Sequence, residues 1–239
     1  MKYPPTTLIQ ENNFHNAWAR AVRYVLRDGK QITIGDKSEP KPIRDACVLF
    51  ELTGNAIRQI EDHELHPQFP FRLVNEYCEE FTSEFQKKYL NAEDGTLKFS
   101  YTYYDRLTYR SDVNQLDALK DGLKNQIKSN ISSNRNQGTT WIPRIDAGHP
   151  ASPCLQRIVI RYLGGDDADV HLTWRSRDLY TAWQVNIIAI IDMLNREVIR
   201  PNECRIAKIV DYSDSLHIYR SDIKEAEKIK LVPKNPQGD

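Results

Sequence analysis

Three fragments decide the reading of this 239-residue chain: SPCLQRIVIRYL at 152–163, ADVHLTWRSRDLYTAWQVNIIAIIDML at 168–194, and DYSDSLHIYRSD at 211–222. The first alternates apolar and polar residues up to Gly164-Gly165, and the second begins with the same alternation, so the two predict a β-hairpin. From Asp178 to Asn195 the period changes to that of a helix, with Trp183, Ile187, Ile190, Ile191 and Leu194 on its core side. RIAKIVDY and SLHIYRS predict two further strands, and KEAEKIK a short terminal helix.

Working outward, Phe14, Trp18, Val22, Val25 and Leu26 recur at helical spacing between Asn13, a residue suited to an N-cap, and Gly29, a stop. KQITIGD and RDACVLFEL read as strands, and Leu73–Tyr89 as a helix. KFSYTYYDRL reads as a strand with alternating aromatics, and 117–127 as a helix. SNISSNRNQGTTWIP reads as a polar loop leading into a short strand. The tally is α+β: a mixed or largely antiparallel sheet backed by helices. With no linker or repeat, one domain over 1–239 is expected.

Lysine plus arginine and aspartate plus glutamate balance at 33 each. That balance argues against a nucleic-acid partner and leaves any anion site to be local. No apolar run reaches membrane-span or signal-peptide length, so a cytoplasmic protein without a membrane partner is expected. Cys47, Cys78, Cys154 and Cys204 form no CxxC pair and are read as free thiols. Gly35-x-Lys37-Ser38 lacks the upstream glycine of a phosphate loop. His63, Glu64 and His66 have neither a helical period nor a further ligand; they read as a polar loop, and no metal is expected.

Cys154 opens a strand directly after a proline, which fixes its direction of approach. Its two readings are a small core hydrophobe and a nucleophile. Arg175 on the neighbouring hairpin strand, a permanent cation that would favour a thiolate, tips the balance toward the second. Arg175 and Ser176 precede the long helix, where amide donors favour an anion such as phosphate. Asp178 reads equally as that helix's cap or as a ligand group. Asn186 is an amide inside an apolar helix and needs a hydrogen-bonding partner, from the protein or from a ligand. His217 and Tyr219, two apart on one strand face, suit a sugar hydroxyl.

These residues together resemble the thymidylate synthase family, which includes the pyrimidine nucleotide hydroxymethylases, and in particular its short archaeal and phage-type members. Pro153-Cys154 is similar to the family's nucleophile motif, Arg175-Ser176-x-Asp178 to its Arg-Ser-x-Asp segment, and Asn186-Ile187 follows at the family's spacing. Residues 214–219, DSLHIY, resemble its sugar motif; Tyr101-Thr102-Tyr103 and Ser133-Asn134-Arg135 match two upstream motifs.

The resemblance implies a thymidylate synthase-like fold and a homodimer with a shared active site. Its substrate would be a nucleotide monophosphate, and its cofactor 5,10-methylenetetrahydrofolate or a related reduced pterin. Cys154 would attack carbon 6 of dUMP, and Tyr103 would help remove the carbon 5 proton. Arg175, Ser176 and Arg135 of the other subunit would hold the phosphate, His217 and Tyr219 the sugar, and Asp178 the pterin. Asn186 pairs with uracil rather than cytosine, because its oxygen accepts from N3–H while its NH2 donates to O4. Arg44 is the candidate for a further phosphate arginine and Glu76 for an active-site acid. The chain departs from the family at Asn134, Leu155, Trp183-Gln184, Ser215 and the C-terminal KNPQGD. Two alternatives therefore stand beside dTMP formation: pyrimidine 5-hydroxymethylation of dUMP, dCMP or CMP, and a silent nucleotide-binding relative.

Overall fold

The computed structural model describes residues 3–35, 38–90 and 101–233. A mixed sheet contains β1 (Thr6–Glu11), β2 (Lys30–Ile34), β3 (Lys41–Thr53), β4 (Gln137–Thr139), β5 (Leu155–Gly164), β6 (Asp167–Trp174), β7 (Arg177–Asp178) and β8 (Arg205–Tyr219). The main path runs β1-β3-β8-β6-β5-β4, with β2 added to β3 and β7 to β8. β1 lies parallel to β3, and both β6 and β7 lie parallel to β8; the other pairs are antiparallel. The hairpin and the α+β class are as the sequence implies, and Gly164 and Gly165 turn it at φ of 107° and 61°.

Helix α1 (Phe14–Asp28) starts where Asn13 Oδ1 accepts from the Asn16 amide at 2.9 Å. It stops at Gly29, whose amide bonds the Val25 carbonyl. A β-carbon there would sit 2.3 Å from that carbonyl oxygen, so only glycine fits. Its face of Phe14, Trp18, Val22 and Val25 is wholly buried. α2 (Asn55–Glu61) follows β3. The helix expected over 73–89 is divided into α3 (Val74–Glu79) and α4 (Ser83–Leu90), since Thr82 Oγ1 turns back to the Glu79 carbonyl and then accepts from the Phe85 amide.

The strand expected over KFSYTYYDRL is overturned where the chain is described: Tyr103–Leu107 form the helical turn α5. Thr102 is the reason, its hydroxyl accepting from the Asp105 amide at 3.0 Å. α6 (Gln115–Ser129) is capped by Asn114, and α7 (Pro143–Asp146) is a single turn. α8 (Trp183–Leu194) is apolar on all sides and almost completely buried. It begins five residues later than expected because Asp178 Oδ1 accepts from the amides of Tyr180 and Thr181, holding 178–181 as a turn. The two strands expected after α8 are one continuous strand, β8. α9 (Ile223–Ala226) is the last helix among the described residues.

Beneath β8 lies a polar centre. Asp211 and Arg177, both essentially without solvent exposure, pair through Arg177 Nη1 at 2.9 and 2.7 Å. The indole N–H of Trp174 donates to Asp211 Oδ1 at 2.8 Å and that of Trp183 to Oδ2 at 3.0 Å. The guanidinium also lies 3.8 Å from the centroid of the Trp174 ring. A second buried pair, Arg106 to Asp146, is bidentate at 2.9 Å in both arms and ties α5 to α7.

Removing one member of such a pair leaves an uncompensated charge and costs about 3–5 kcal/mol. We expect Asp211→Ala to lose stability on that scale in urea denaturation. A loss under about 1 kcal/mol would show that the pair contributes no more than an exposed one.

Candidate functional site

Cys154 stands at the entrance to β5, half-buried, on a cleft of about 460 Å³. Tyr77, Glu80, Phe81, Tyr103 and Arg175 line the cleft with it. Its place follows from the hairpin: the Arg175 amide donates to the Cys154 carbonyl at 2.9 Å, next to the Leu155–Trp174 register pair. The Arg175 side chain folds back onto the residues before Cys154, Nε bonding the Pro153 carbonyl at 3.0 Å and Nη2 the Ser152 carbonyl at 2.7 Å. The arginine thus braces the Pro-Cys corner, while Nη1 has no partner among the described residues.

Tyr103 reaches the cleft from α5, its ring edge-on to Trp174 at 5.7 Å. Burial first, and then the neighbouring Cys154, keep its hydroxyl well above the ordinary value, so at neutral pH it is a protonated hydroxyl. Asn186, on the first half of α8, is buried and donates through Nδ2 to the Tyr77 hydroxyl at 2.7 Å.

His217 is buried, and its Nε2 has no hydrogen-bond partner among the described residues. On its other side Nδ1 lies 3.4 Å from Ser215 Oγ, which itself donates to Asp45 Oδ1 at 2.6 Å. With the serine proton committed to Asp45, Nδ1–H faces the serine oxygen and leaves Nε2 as a bare acceptor. Tyr219 sits edge-on to His217 at 5.0 Å. Asp45 lies opposite His217 in the β3–β8 register, so a neighbouring strand supplies the carboxylate that holds Ser215.

Other candidates lie apart from the Cys154 cleft. Ser176 is half-buried between Arg175 and Arg177. Asp178 is engaged with the turn described above, through both of its oxygens. Arg135 is exposed on the loop before β4, with no side-chain partner among the described residues. Arg44 Nη1 bonds the Leu26 carbonyl at 2.9 Å, at the end of α1. Glu76 is exposed on α3, whereas Glu80, one turn on, lines the cleft. The loop of His63, Glu64 and His66 is not merely polar surface: His66 is buried, 4.9 Å from the Trp18 ring. The C-terminal 234–239 and Lys37 of the Gly-x-Lys-Ser run lie outside the described residues.

A thiol, a protonated tyrosine, an arginine and a carboxylate thus share one cleft. A family model described as "Thymidylate synthase" matches residues 55–237, more than half of the chain. The chain belongs to the thymidylate synthase family. Two proteins with the description "Putative thymidylate synthase", from Methanothermobacter marburgensis and Methanothermobacter thermautotrophicus, are each 25% identical over 232 residues. Those matches span 92% of this chain and 96% and 97% of the respective relatives. A third with the same description, from Methanopyrus kandleri, is 28% identical over 218 residues, 91% of this chain and 95% of its own length. Among the described residues of this thymidylate synthase family member, no helix is long and apolar enough to cross a membrane.

Burial holds the His217 imidazole below its ordinary value of 6.5, with Asp178 and Asp45 partly opposing it; His15 and His66 are lowered chiefly by burial too. The unfolded chain therefore takes up these protons first, so their contribution to stability is complete above pH 6.5 and declines as the pH falls below it. We expect the unfolding free energy to drop between pH 6.5 and 5, and His217→Asn to make that drop shallower. An unchanged slope in the variant would mean that His217 is not held neutral by the fold.

Proposed function

We propose that this protein transfers a one-carbon unit from methylenetetrahydrofolate to carbon 5 of dUMP, forming dTMP. The observation that carries the reading is the convergence of Cys154, Tyr103 and Arg175 on one cleft, with Asn186 bonded to its wall through Tyr77. The aromatic faces of Phe81 and Tyr103 beside the thiol fit a flat pyrimidine and a flat pterin stacked on it.

Cys154 Sγ bonds to carbon 6 of the pyrimidine, and the electron pair of the 5,6 double bond shifts toward carbon 5 and O4. Carbon 5 thereby becomes the nucleophile. Bound methylenetetrahydrofolate supplies the carbon, and the hydride that brings it to the methyl level, leaving as dihydrofolate. Tyr103, protonated, orients the group that takes the carbon 5 proton; as that proton leaves, the electron pair restores the double bond and expels the Cys154 thiolate. The Glu80 carboxylate lines the same cleft and is the candidate for that group. Arg175 and Ser176 hold the phosphate, His217 Nε2 and Tyr219 the 3′-hydroxyl, and Asp178 the edge of the pterin.

The phosphate site is completed by Arg135 of a second copy, which makes the working form a homodimer in the cytoplasm. Two features support this. Arg135 is a solvent-facing cation without a partner among the described residues, and the sheet face bearing Leu49, Val159, Thr173 and Val210 is left half-exposed on its central strands. Sedimentation at micromolar concentration should give a dimer; a monomer would remove Arg135 from the site.

The deciding experiment is the mass of the product from dUMP and methylenetetrahydrofolate, with dCMP and UMP in parallel. A methyl group on dUMP is expected, and Cys154→Ala should form no product while still gaining about 2.7 kcal/mol of stability from dUMP at a hundredfold excess over its dissociation constant. A hydroxymethyl product would assign the hydroxymethylase reaction instead. No product from any of the three would refute the proposed chemistry.

A further inference from the structure

Asn186 sits inside an apolar helix, and which end of its amide faces a base decides what that base must be. The only partner of its side chain among the described residues is the Tyr77 hydroxyl, which accepts from Nδ2 at 2.7 Å. Leu155, next to the nucleophile, is buried and has no polar side-chain atom with which to hold the amide. The orientation therefore rests on Tyr77, whose ring is clamped edge-on by Phe71 and Phe81 at 6.1 and 5.5 Å on the wall of the Cys154 cleft.

A hydroxyl can give or take a hydrogen bond, so it fixes its neighbour only when its own hydrogen is directed elsewhere. Burial keeps Tyr77 un-ionised far above its ordinary range, so the hydrogen is present. Glu80, three residues further on and lining the same cleft, acts on the hydroxyl with negative charge, and Arg177 acts on it with positive charge. With Asn186 Nδ2 donating to the hydroxyl oxygen, the hydroxyl's own hydrogen is left for another acceptor, and the carboxylate of Glu80 on the same cleft is the one we assign to it.

We propose that Tyr77 is a specificity-determining residue: by taking one Nδ2 hydrogen of Asn186, it turns Oδ1 and the second Nδ2 hydrogen toward the base as an acceptor–donor edge. Uracil meets that edge with N3–H and O4. Cytosine meets it with an N3 lone pair against an oxygen and an amino group against an N–H, two repulsive contacts. The proposal rests on the nucleotide reading of the cleft given above, and it adds a residue on α3 to base selection.

The test is calorimetric titration of dUMP and dCMP into the full-length protein, the Tyr77→Phe variant and the Asn186→Asp control. Phenylalanine keeps both ring contacts and removes only the hydroxyl. We expect the wild type to favour dUMP and Tyr77→Phe to cut the ratio of dissociation constants by about tenfold, the scale of a polar contact left unpaired. Asn186→Asp should shift preference toward dCMP. Equal weakening of both nucleotides in Tyr77→Phe would make Tyr77 a packing residue and overturn the proposal alone. A wild type that binds neither nucleotide would overturn the proposal together with the reading beneath it. Should Tyr77→Phe not fold, as judged by its melting transition, Glu80→Gln is read in its place. It preserves shape and removes the charge that directs the hydroxyl, so an unchanged dUMP to dCMP ratio there overturns the proposal equally.

Discussion

The Asp211 carboxylate is the constraint on which the rest of this structure depends. It is buried beneath the long strand β8 and receives the indole hydrogens of Trp174 and Trp183 as well as Arg177. β6, the turn after it and α8 are thereby fastened to one point of the sheet. Burying this pair is costly, and desolvation pushes the aspartate's pKa up and the arginine's down. Such a pair is retained less for net stability than for the single arrangement it enforces. Here that arrangement reaches the cleft through Trp174: one face takes the Arg177 guanidinium, and the same ring meets Tyr103.

Much of the fold was legible because its signals are local. The hairpin of β5 and β6, the capped helix α1 and the apolar α8 all carry their period, caps and turn residues within a few positions. The failures share a cause, which is that distant partners override local pattern. Ser213 and Asp214 read as a break between two strands, yet the residues flanking them are held across the fold, Asp211 from 34 and 28 residues away by Arg177 and Trp183, and Ser215 from 170 residues away by Asp45. β1 passed unnoticed because as an edge strand it buries only Ile9, so its alternation is faint. The aromatic alternation of 101–104 imitated a strand, although Thr102 had already set a helical turn.

The site divides along the same line. Cys154, Arg175 and Tyr103 sit in short motifs and meet at the cleft. Tyr77, Glu80 and Asp45 belong to no motif and are recruited across the fold: the Asn186–Tyr77 bond spans 109 residues. Their signal in the sequence was negative: after Cys154 and within 214–219 the chain departs from the family's pattern, at Leu155 and Ser215. A missing hydrogen-bonding group at a buried site must be supplied from elsewhere or left unmade. For the amide it is supplied from α3 and for the imidazole from β3.

That substitution also bears on how a chain with no net charge would hold the anionic nucleotide proposed above. Long-range attraction contributes little, so recognition must come from groups fixed before the ligand arrives. Each polar side chain here is held from behind and open in front. Among the described residues, Arg175 is held by two carbonyls with Nη1 left free, His217 is held toward Ser215 with Nε2 left free, and Asn186 is held by Tyr77 with Oδ1 left free. The anchor is in every case a backbone carbonyl, a hydroxyl or a buried carboxylate set by the sheet. Because the anchors lie on α3, β3 and the Pro-Cys corner, and these meet only around β8 and α8, the site exists only in the fully folded chain.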